Sequence, residues 1–167
     1  MPVAYIGIGS NLGDREAQVQ QATQGLLAIG ALTRLSSLYE TKPWGNTQQG
    51  AFVNAVAELE TELSPEALLE AMMQLEQQMG RVRGEKWGPR TIDLDLLLME
   101  NLQCHTAQLQ LPHPGIAERL FVLVPWMEIA PRVQLPDGRQ VAELAEHLMQ
   151  KTPAQDWPEM IAYQLHF

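Results

Sequence analysis

Two aspartates separated by one residue, Asp93 and Asp95, stand in the apolar segment TIDLDLLLM at residues 91–99. This segment is predicted to be a strand, in which residues two apart share a face at roughly 6–7 Å. Both carboxylates then lie on one face, and the opposite face turns to the core with Ile92, Leu94, Leu96 and Leu98. Paired carboxylates suit magnesium, which proteins commonly hold through one or two acids plus substrate phosphates. The alternative is a pair of solvent-facing acids.

A basic segment immediately precedes this strand. Residues 81–90 (RVRGEKWGPR) contain four cations, Arg81, Arg83, Lys86 and Arg90, against one acid, in a chain whose net charge is −9. Cations on a glycine-containing loop beside paired acids are the arrangement that phosphoryl transfer requires, since the acids hold metal and the arginines neutralise phosphate. A solvated charge run is the alternative for the cations taken alone.

Other side chains near these motifs are weaker candidates. His113, between two prolines, is predicted to donate to a phosphate or simply to be exposed, and Trp87 can pack over a bound ring. The glycines of residues 7–13 (GIGSNLG) do not fit the dinucleotide-binding pattern, because Leu12 stands where G-x-G-x-x-G needs glycine. We interpret them as a plain turn between a strand and a helix.

The elements that position these residues follow from hydrophobic periodicity and from capping and turn residues. We expect strands at 3–9, 33–41, 52–60 and 91–99, and helices at 14–29 and 64–79, with a loop at 42–50. The order βαββαβ predicts a ferredoxin-like α+β core, an antiparallel sheet with both helices on one face. C-terminal additions follow: an edge strand at 109–111, helices at 116–129 and 141–150, and a turn at 136–138.

Length and composition indicate one soluble domain over residues 1–167, which we expect to be catalytic. The chain is 46% hydrophobic and 19% charged, and its one cysteine excludes an internal disulfide. No segment approaches the roughly 20 apolar residues of a membrane span, and Met1-Pro2-Val3-Ala4 lacks the basic region of a signal peptide. The acidic charge argues against nucleic acid as a partner. We therefore expect a cytoplasmic protein, and we further expect it to be a monomer that acts on small molecules.

Residues 86–97 (KWGPRTIDLDLL) resemble the signature of the 6-hydroxymethyl-7,8-dihydropterin pyrophosphokinase family of folate biosynthesis. Other family-like segments are GSNL at 9–12, YET at 39–41, PWG at 43–45, FVNA at 52–55, PHP at 112–114, RLFVL at 119–123 and IAP at 129–131. The resemblance extends over roughly residues 4–138 in consistent order, which chance motifs would not produce. It departs at Gly115, where family members often carry a bulky or basic residue.

The resemblance implies transfer of pyrophosphate from ATP to the pterin hydroxymethyl group with release of AMP, supported by two Mg²⁺ ions. It implies that Asp93 and Asp95 bind metal, and that Arg81, Arg90 and Asp95 are catalytic. The residues implied to bind ATP are Glu76, Arg83, Trp87, Arg90, His113 and Arg119, and those implied to bind the pterin are Thr41, Pro43, Trp44, Phe52, Asn54 and Phe121.

Two other functions fit parts of the sequence. A small-molecule sensor domain can share the fold, since a ferredoxin-like fold alone assigns no function, but it has no use for paired acids beside an arginine loop. A metal-dependent phosphohydrolase would use the same acids and cations without a pterin pocket. Consumption of ATP only when a pterin alcohol is present would exclude both.

Overall fold

The structure, a computed structural model, describes residues 2–10, 14–41, 51–80, 92–100 and 102–162. The strands are β1 Val3–Ser10, β2 Ala31–Leu35, β3 Leu38–Thr41, β4 Phe52–Glu60, β5 Asp93–Met99, β6 Cys104–His105, β7 Gln110–Leu111 and β8 Glu159–Ala162. The helices are α1 Arg15–Leu26, α2 Pro65–Gln78, α3 Leu120–Ile129 and α4 Val141–Lys151, and short 3₁₀ turns lie at Ile116–Glu118 and Ala154–Asp156.

The main sheet runs β5-β1-β4-β3-β8, and β2 also pairs with β4. Each of these pairings is antiparallel. Apart from β8, this is the sheet order of a ferredoxin-like core, with β2 and β3 sharing the place of a single strand. The fold class predicted from the sequence is therefore confirmed.

The predicted strand at 33–41 is interrupted at Ser36 and Ser37, so the single-strand prediction is wrong. Ser36 takes both hydrogen bonds of Val56: its Oγ accepts from the Val56 N–H at 2.9 Å, and its own N–H donates to the Val56 carbonyl. A side chain thus replaces a backbone acceptor at this point of the ladder. The weak alternation of residues 33–41 reflects this break.

Local capping explains where α1 and α2 begin. The Asp14 carboxylate accepts from the Ala17 N–H at 3.1 Å, and the Ser64 hydroxyl accepts from the Ala67 N–H at 3.2 Å. These contacts satisfy backbone donors that a helix start leaves without an internal partner. Helix α2 ends at Gln78, one residue before the predicted end, and Gly80 follows with φ +91°, as predicted for the residue after the cap. Helix α1 ends at Leu26, three residues before the predicted end.

Helices cover both faces of the sheet. The apolar sides of α1 and α2 pack on one face, against a core that includes Ile6, Leu59 and Leu94. Helices α3 and α4 pack on the opposite face, around the fully buried Trp126. The prediction of α1 and α2 on one face is confirmed, and the C-terminal helices add a third layer.

Strand β5 contains a β-bulge after its acidic residues. Ile6 pairs with Leu96 and Tyr5 pairs with Leu98, which leaves Leu97 as the extra residue. A bulge of this kind reverses the alternation of side chains beyond it. Leu97 and Leu98 therefore both join the α3–α4 core, and the prediction that Leu98 shares a face with Leu94 and Leu96 is wrong.

The C-terminal segments differ in detail from the sequence prediction. Strand β7 pairs with β6 in a separate two-stranded sheet, so the segment at 109–111 does not extend the main sheet. The predicted helix at 116–129 divides at Arg119 into a 3₁₀ turn and α3. The turn at 136–138 and the last helix are confirmed, and β8 lies in a region for which no prediction was made. Within the described part of the chain, no helix has the length and apolar character needed to cross a membrane.

Candidate active site

Two glycines of β1 form the floor of a trough on the α3–α4 face of the sheet. Gly9 lies between Asp93 on β5 and Asn54 on β4, and Gly7 lies between Asp95 and Val56. Directly opposed residues on antiparallel strands share a face, about 4.5–5.5 Å apart. Asp93 and Asn54 therefore stand about 10 Å apart on the two sides of Gly9. We call Gly7, Gly9, Asn54, Asp93 and Asp95 the glycine trough.

The trough is closed at one end and open at the other. A Cβ atom on Gly7 would lie 3.6 Å from Cδ2 of Leu97, and both Leu97 and Val56 are buried in the α3–α4 core. A Cβ atom on Gly9 would come within 2.9 Å of Asn54 Oδ1. The Asn54 amide thus leans over Gly9, and only glycine there leaves it in place.

Asp93 and Asp95 occupy the predicted face of β5, opposite the α1–α2 core, and both are half-buried. In the described ranges, no three histidine, cysteine, aspartate or glutamate side chains are grouped as a metal site. Two carboxylates with hard oxygen donors suit magnesium, because that ion keeps several waters or phosphate oxygens as its other ligands. The residues present therefore fit Mg²⁺ bound together with phosphates.

His113 is held beside the acids by the neighbouring loop. Its N–H donates to the Leu97 carbonyl at 2.9 Å, and its Nε2 lies 4.0 Å from Oδ1 of Asp95. Its Nδ1 is 2.6 Å from the Pro114 carbonyl oxygen. Because a carbonyl oxygen only accepts, Nδ1 donates in this contact, and Nε2 can donate to a phosphate only in the imidazolium form.

Glu76 connects α2 to the acid-bearing strand. Its side chain is buried, and Oε2 accepts from the Leu94 N–H at 2.9 Å. Leu94 lies between Asp93 and Asp95, so this bond fixes the backbone that carries both carboxylates.

The predicted pterin-binding residues gather on the other side of the trough. The Asn54 Nδ2 donates to the Thr41 Oγ1 at 3.1 Å, and Thr41 is paired with Phe52 at the end of the β3–β4 ladder. Phe52, Asn54 and Val56 share one face of β4, as predicted from their spacing. Phe121 is the second residue of α3, on the same side of the sheet, and the Arg119 Cζ lies 5.9 Å from its ring centroid.

Helix α3 is fixed to β3 through the Glu128 carboxylate. Oε1 accepts from the Ser37 N–H and the Tyr39 hydroxyl at 2.9 and 2.7 Å, and Oε2 accepts from the Ser37 hydroxyl at 2.8 Å. Burial raises the pKa of Tyr39 well above its usual range, and the bond to Glu128 adds to the shift. Tyr39 lies on β3 and pairs with Asn54 on β4. This network therefore joins α3, which carries Phe121, to the strand that lies next to Asn54.

The other predicted site residues lie outside the described residues: Pro43, Trp44, Arg81, Arg83, Trp87 and Arg90. Gly7 and Gly9 lie within β1, as the predicted strand at 3–9 requires, so the interpretation of the glycines as a turn is wrong for these two. Glycines at alternate positions of a strand often mark close approach of a ligand. The alternate spacing of Gly7 and Gly9 is the feature of the sequence that could have pointed to a ligand site.

The sheet order and the two helical layers define a ferredoxin-like α+β protein with an acid-lined trough on one face. The chain belongs to the 7,8-dihydro-6-hydroxymethylpterin-pyrophosphokinase (HPPK) family, since the model of that family matches residues 5–131. A 2-amino-4-hydroxy-6-hydroxymethyldihydropteridine pyrophosphokinase of Bacillus subtilis is 47% identical over 134 residues, covering 79% of this chain and 80% of that protein. One of the same name from Haemophilus influenzae is 42% identical over 157 residues, covering 90% and 98%.

Solved structures show the same fold. A Plasmodium falciparum HPPK-DHPS crystal structure with pteroate superposes with a TM-score of 0.73 at 14% identity, over 90% of this chain. This chain spans 43% of that longer protein. The family assigned from sequence resemblance is confirmed, and with it the activity: pyrophosphoryl transfer to 6-hydroxymethyl-7,8-dihydropterin in folate biosynthesis. ATP is the co-substrate of this family.

Proposed function

We propose that the glycine trough is where this transfer occurs, with magnesium and the phosphates of ATP beside Asp93 and Asp95, and the pterin beside Asn54. The observation that carries the proposal is the register of three strands. It sets two carboxylates and one amide on opposite sides of a floor made of Gly7 and Gly9. Because Gly9 has no Cβ atom, the polar edge of a flat ring can reach Asn54 at the open end of this floor.

The acid side of the trough would receive the charged part of the reaction. Mg²⁺ bound by Asp93 and Asp95, two ions as the family resemblance implies, would neutralise phosphate charge as it redistributes. Glu76 holds the strand between the two acids by its bond to the Leu94 N–H. The His113 ring, with Nε2 4.0 Å from Oδ1 of Asp95, would donate from Nε2 to a phosphate oxygen when both ring nitrogens carry protons.

The amide side would receive the pterin. Asn54 is 6% exposed, and its bond to Thr41 fixes the amide plane. Asn54 Oδ1, which leans over Gly9, would accept from ring N–H groups at the polar edge of the pterin. Phe52 and Phe121 would stack on the two faces of the ring, an arrangement that favours offset aromatic contact.

The remaining predicted residues complete this proposal. Arg81 and Arg90 would supply the cations that take up charge in the transition state, since planar guanidinium groups match phosphate oxygens in pairs. Arg83, Trp87 and Arg119 would contact ATP, and Pro43 and Trp44 would border the pterin.

The proposed reaction is a direct in-line displacement. The hydroxymethyl oxygen of the pterin forms a bond to the β-phosphorus of ATP, the bond from that phosphorus to the oxygen bridging to the α-phosphorus breaks, and AMP leaves with that oxygen. The hydroxyl proton passes to the Asp95 carboxylate or to solvent. The γ-phosphate travels with the product, so cations must bind it as well as the transferring group.

The proposal further takes the protein to be a cytoplasmic monomer that binds no nucleic acid. A net charge of −9 supports the last point, because nucleic acid is a polyanion.

The test is to identify the products. Incubation with ATP, magnesium chloride and 6-hydroxymethyl-7,8-dihydropterin is expected to yield AMP and the pterin diphosphate in equal amounts, and EDTA is expected to stop the reaction. ADP as the nucleotide product would refute pyrophosphoryl transfer in favour of a simple kinase. Free phosphate released without the pterin would instead identify a phosphohydrolase.

A further inference from the structure

Arg15, the first residue of α1, binds two strand ends at once. Its Nη2 lies 3.0 Å from Oε2 of Glu40, and its Nη1 donates to the carbonyl oxygen of Ala51 at 2.6 Å. The guanidinium is planar and presents its donors in a fixed fork. The positions of the Glu40 carboxylate and the Ala51 carbonyl are therefore fixed relative to each other.

These two acceptors flank the pterin side of the trough. Glu40 precedes Thr41 on β3, Ala51 precedes Phe52 on β4, and Thr41 and Phe52 form the end pair of the β3–β4 ladder. Thr41 in turn accepts the hydrogen bond from Asn54. Arg15, which lies outside the trough, thus links the ends of the two strands that carry Thr41, Phe52 and Asn54.

We propose that Arg15 is a positioning residue for the pterin: it holds Thr41 and Phe52 at the separation at which Thr41, Asn54 and Phe52 fit the ring. This inference rests on the proposed function. The side chains of Arg15 and Glu40 are 30% and 40% exposed, and exposed ion pairs contribute little to folding stability. Substrate alignment is more sensitive, since a displacement of about 1 Å can cost about 10²-fold in rate.

The chain offers a matched control in Arg34 on β2. Its Nη1 donates to the Ile129 carbonyl at 2.6 Å, and its Nε lies 3.8 Å from Oε1 of Glu58. Arg34 therefore also bridges one backbone carbonyl and one carboxylate. It pairs with Glu58 near the far end of β4, away from Thr41 and Phe52.

The experiment compares Arg15→Met, Arg15→Lys and Arg34→Met by steady-state kinetics, with the pterin and ATP varied separately. For Arg15→Met we expect the KM for the pterin to rise about tenfold, which corresponds to about 1.4 kcal/mol of lost binding. The KM for ATP and the thermal midpoint should remain those of the wild type. Arg15→Lys retains the charge facing Glu40 but not the fork, and should fall between wild type and Arg15→Met.

Three results would overturn the inference: an unchanged pterin KM in Arg15→Met, an equal rise in Arg34→Met, or an equal rise in the KM for ATP. If Arg15→Met does not fold, Arg15→Lys decides by the same comparison. Wild-type protein that consumes no pterin would refute the proposed function, and this inference with it. Wild-type turnover with an unaltered Arg15→Met would refute the inference alone.

Discussion

The substitution Gly9→Ala tests the glycine trough most directly. The added Cβ would lie 2.9 Å from Asn54 Oδ1, whereas ordinary contact begins at 3.4 Å, so the amide must retreat by about 0.5 Å. The retreat would disturb the 3.1 Å bond from Asn54 to Thr41. If a displacement of about 1 Å lowers the rate about 10²-fold, a displacement of half that size lowers it about tenfold. This corresponds to about 1.4 kcal/mol of transition-state binding.

The substitution Gly7→Ala is the matched control, because it adds the same atom to the same face of the same strand. There the Cβ would meet Leu97 Cδ2 at 3.6 Å, an ordinary contact, and neither glycine has a positive φ that would strain alanine. Replacing glycine by alanine at a compatible position stabilises a protein by about 0.4–1 kcal/mol. We expect Gly7→Ala to be at least as stable as wild type and to keep its activity.

The assay measures kcat/KM for the pterin at saturating ATP and magnesium, together with urea unfolding of both variants. Gly9→Ala should fall about tenfold in kcat/KM while remaining folded, and Gly7→Ala should change by less than about threefold. Wild-type kcat/KM in a folded Gly9→Ala would show that the pterin does not depend on the position of Asn54. An equal loss of kcat/KM in both variants would show that an added Cβ atom has the same effect at the open end as at the closed end. That result would contradict the role assigned to Asn54.

Two further predictions concern charge. Asp93→Asn and Asp95→Asn should each abolish magnesium-dependent turnover and leave the unfolding midpoint near that of wild type, while the exposed control Asp137→Asn should keep full activity; turnover by either variant at ordinary magnesium would exclude the two-acid site. Burial and the hydrogen bond to Glu58 raise the pKa of Tyr5 above its usual value near 10, so its stabilising contribution is complete below about pH 10 and is lost as the pH rises further. Urea unfolding between about pH 9 and 11.5 should therefore show the stability advantage of wild type over Tyr5→Phe shrinking with pH, and a constant difference would contradict this assignment.

The sequence predicted the parts of the fold that depend on local rules. Capping by Asp14 and Ser64 located two helix starts, and period-two spacing assigned Phe52, Asn54 and Val56 to one face of β4. It did not predict the break at Ser36 or the bulge at Leu97. Both depend on which backbone group lies opposite on a strand that is distant in the chain, and that information is not local.

The candidate site likewise contains residues that local spacing predicts and residues that it does not. Spacing alone placed Asp93 and Asp95 on a common face, because two residues on one strand need no knowledge of their neighbours. Spacing alone did not show that Gly7 and Gly9 form the floor of the trough. That role depends on which residues lie opposite them on the two neighbouring strands. Arg15 was missed for a related reason: its acceptors, on Glu40 and Ala51, are 25 and 36 residues away in sequence.

The closed end of the trough also affects its electrostatics. Val56 and Leu97 belong to the buried core beneath α3 and α4, so the carboxylates of Asp93 and Asp95 stand beside a wall of low dielectric constant. Field lines from a charge avoid such a wall and leave through the polar opening, which strengthens the potential there. The attraction of the two acids for a cation is thus directed outward past Gly9, and it should weaken less with added salt than that of the same acids on an open surface. The apolar packing that stabilises the fold thereby also sets the direction from which a metal ion is drawn in.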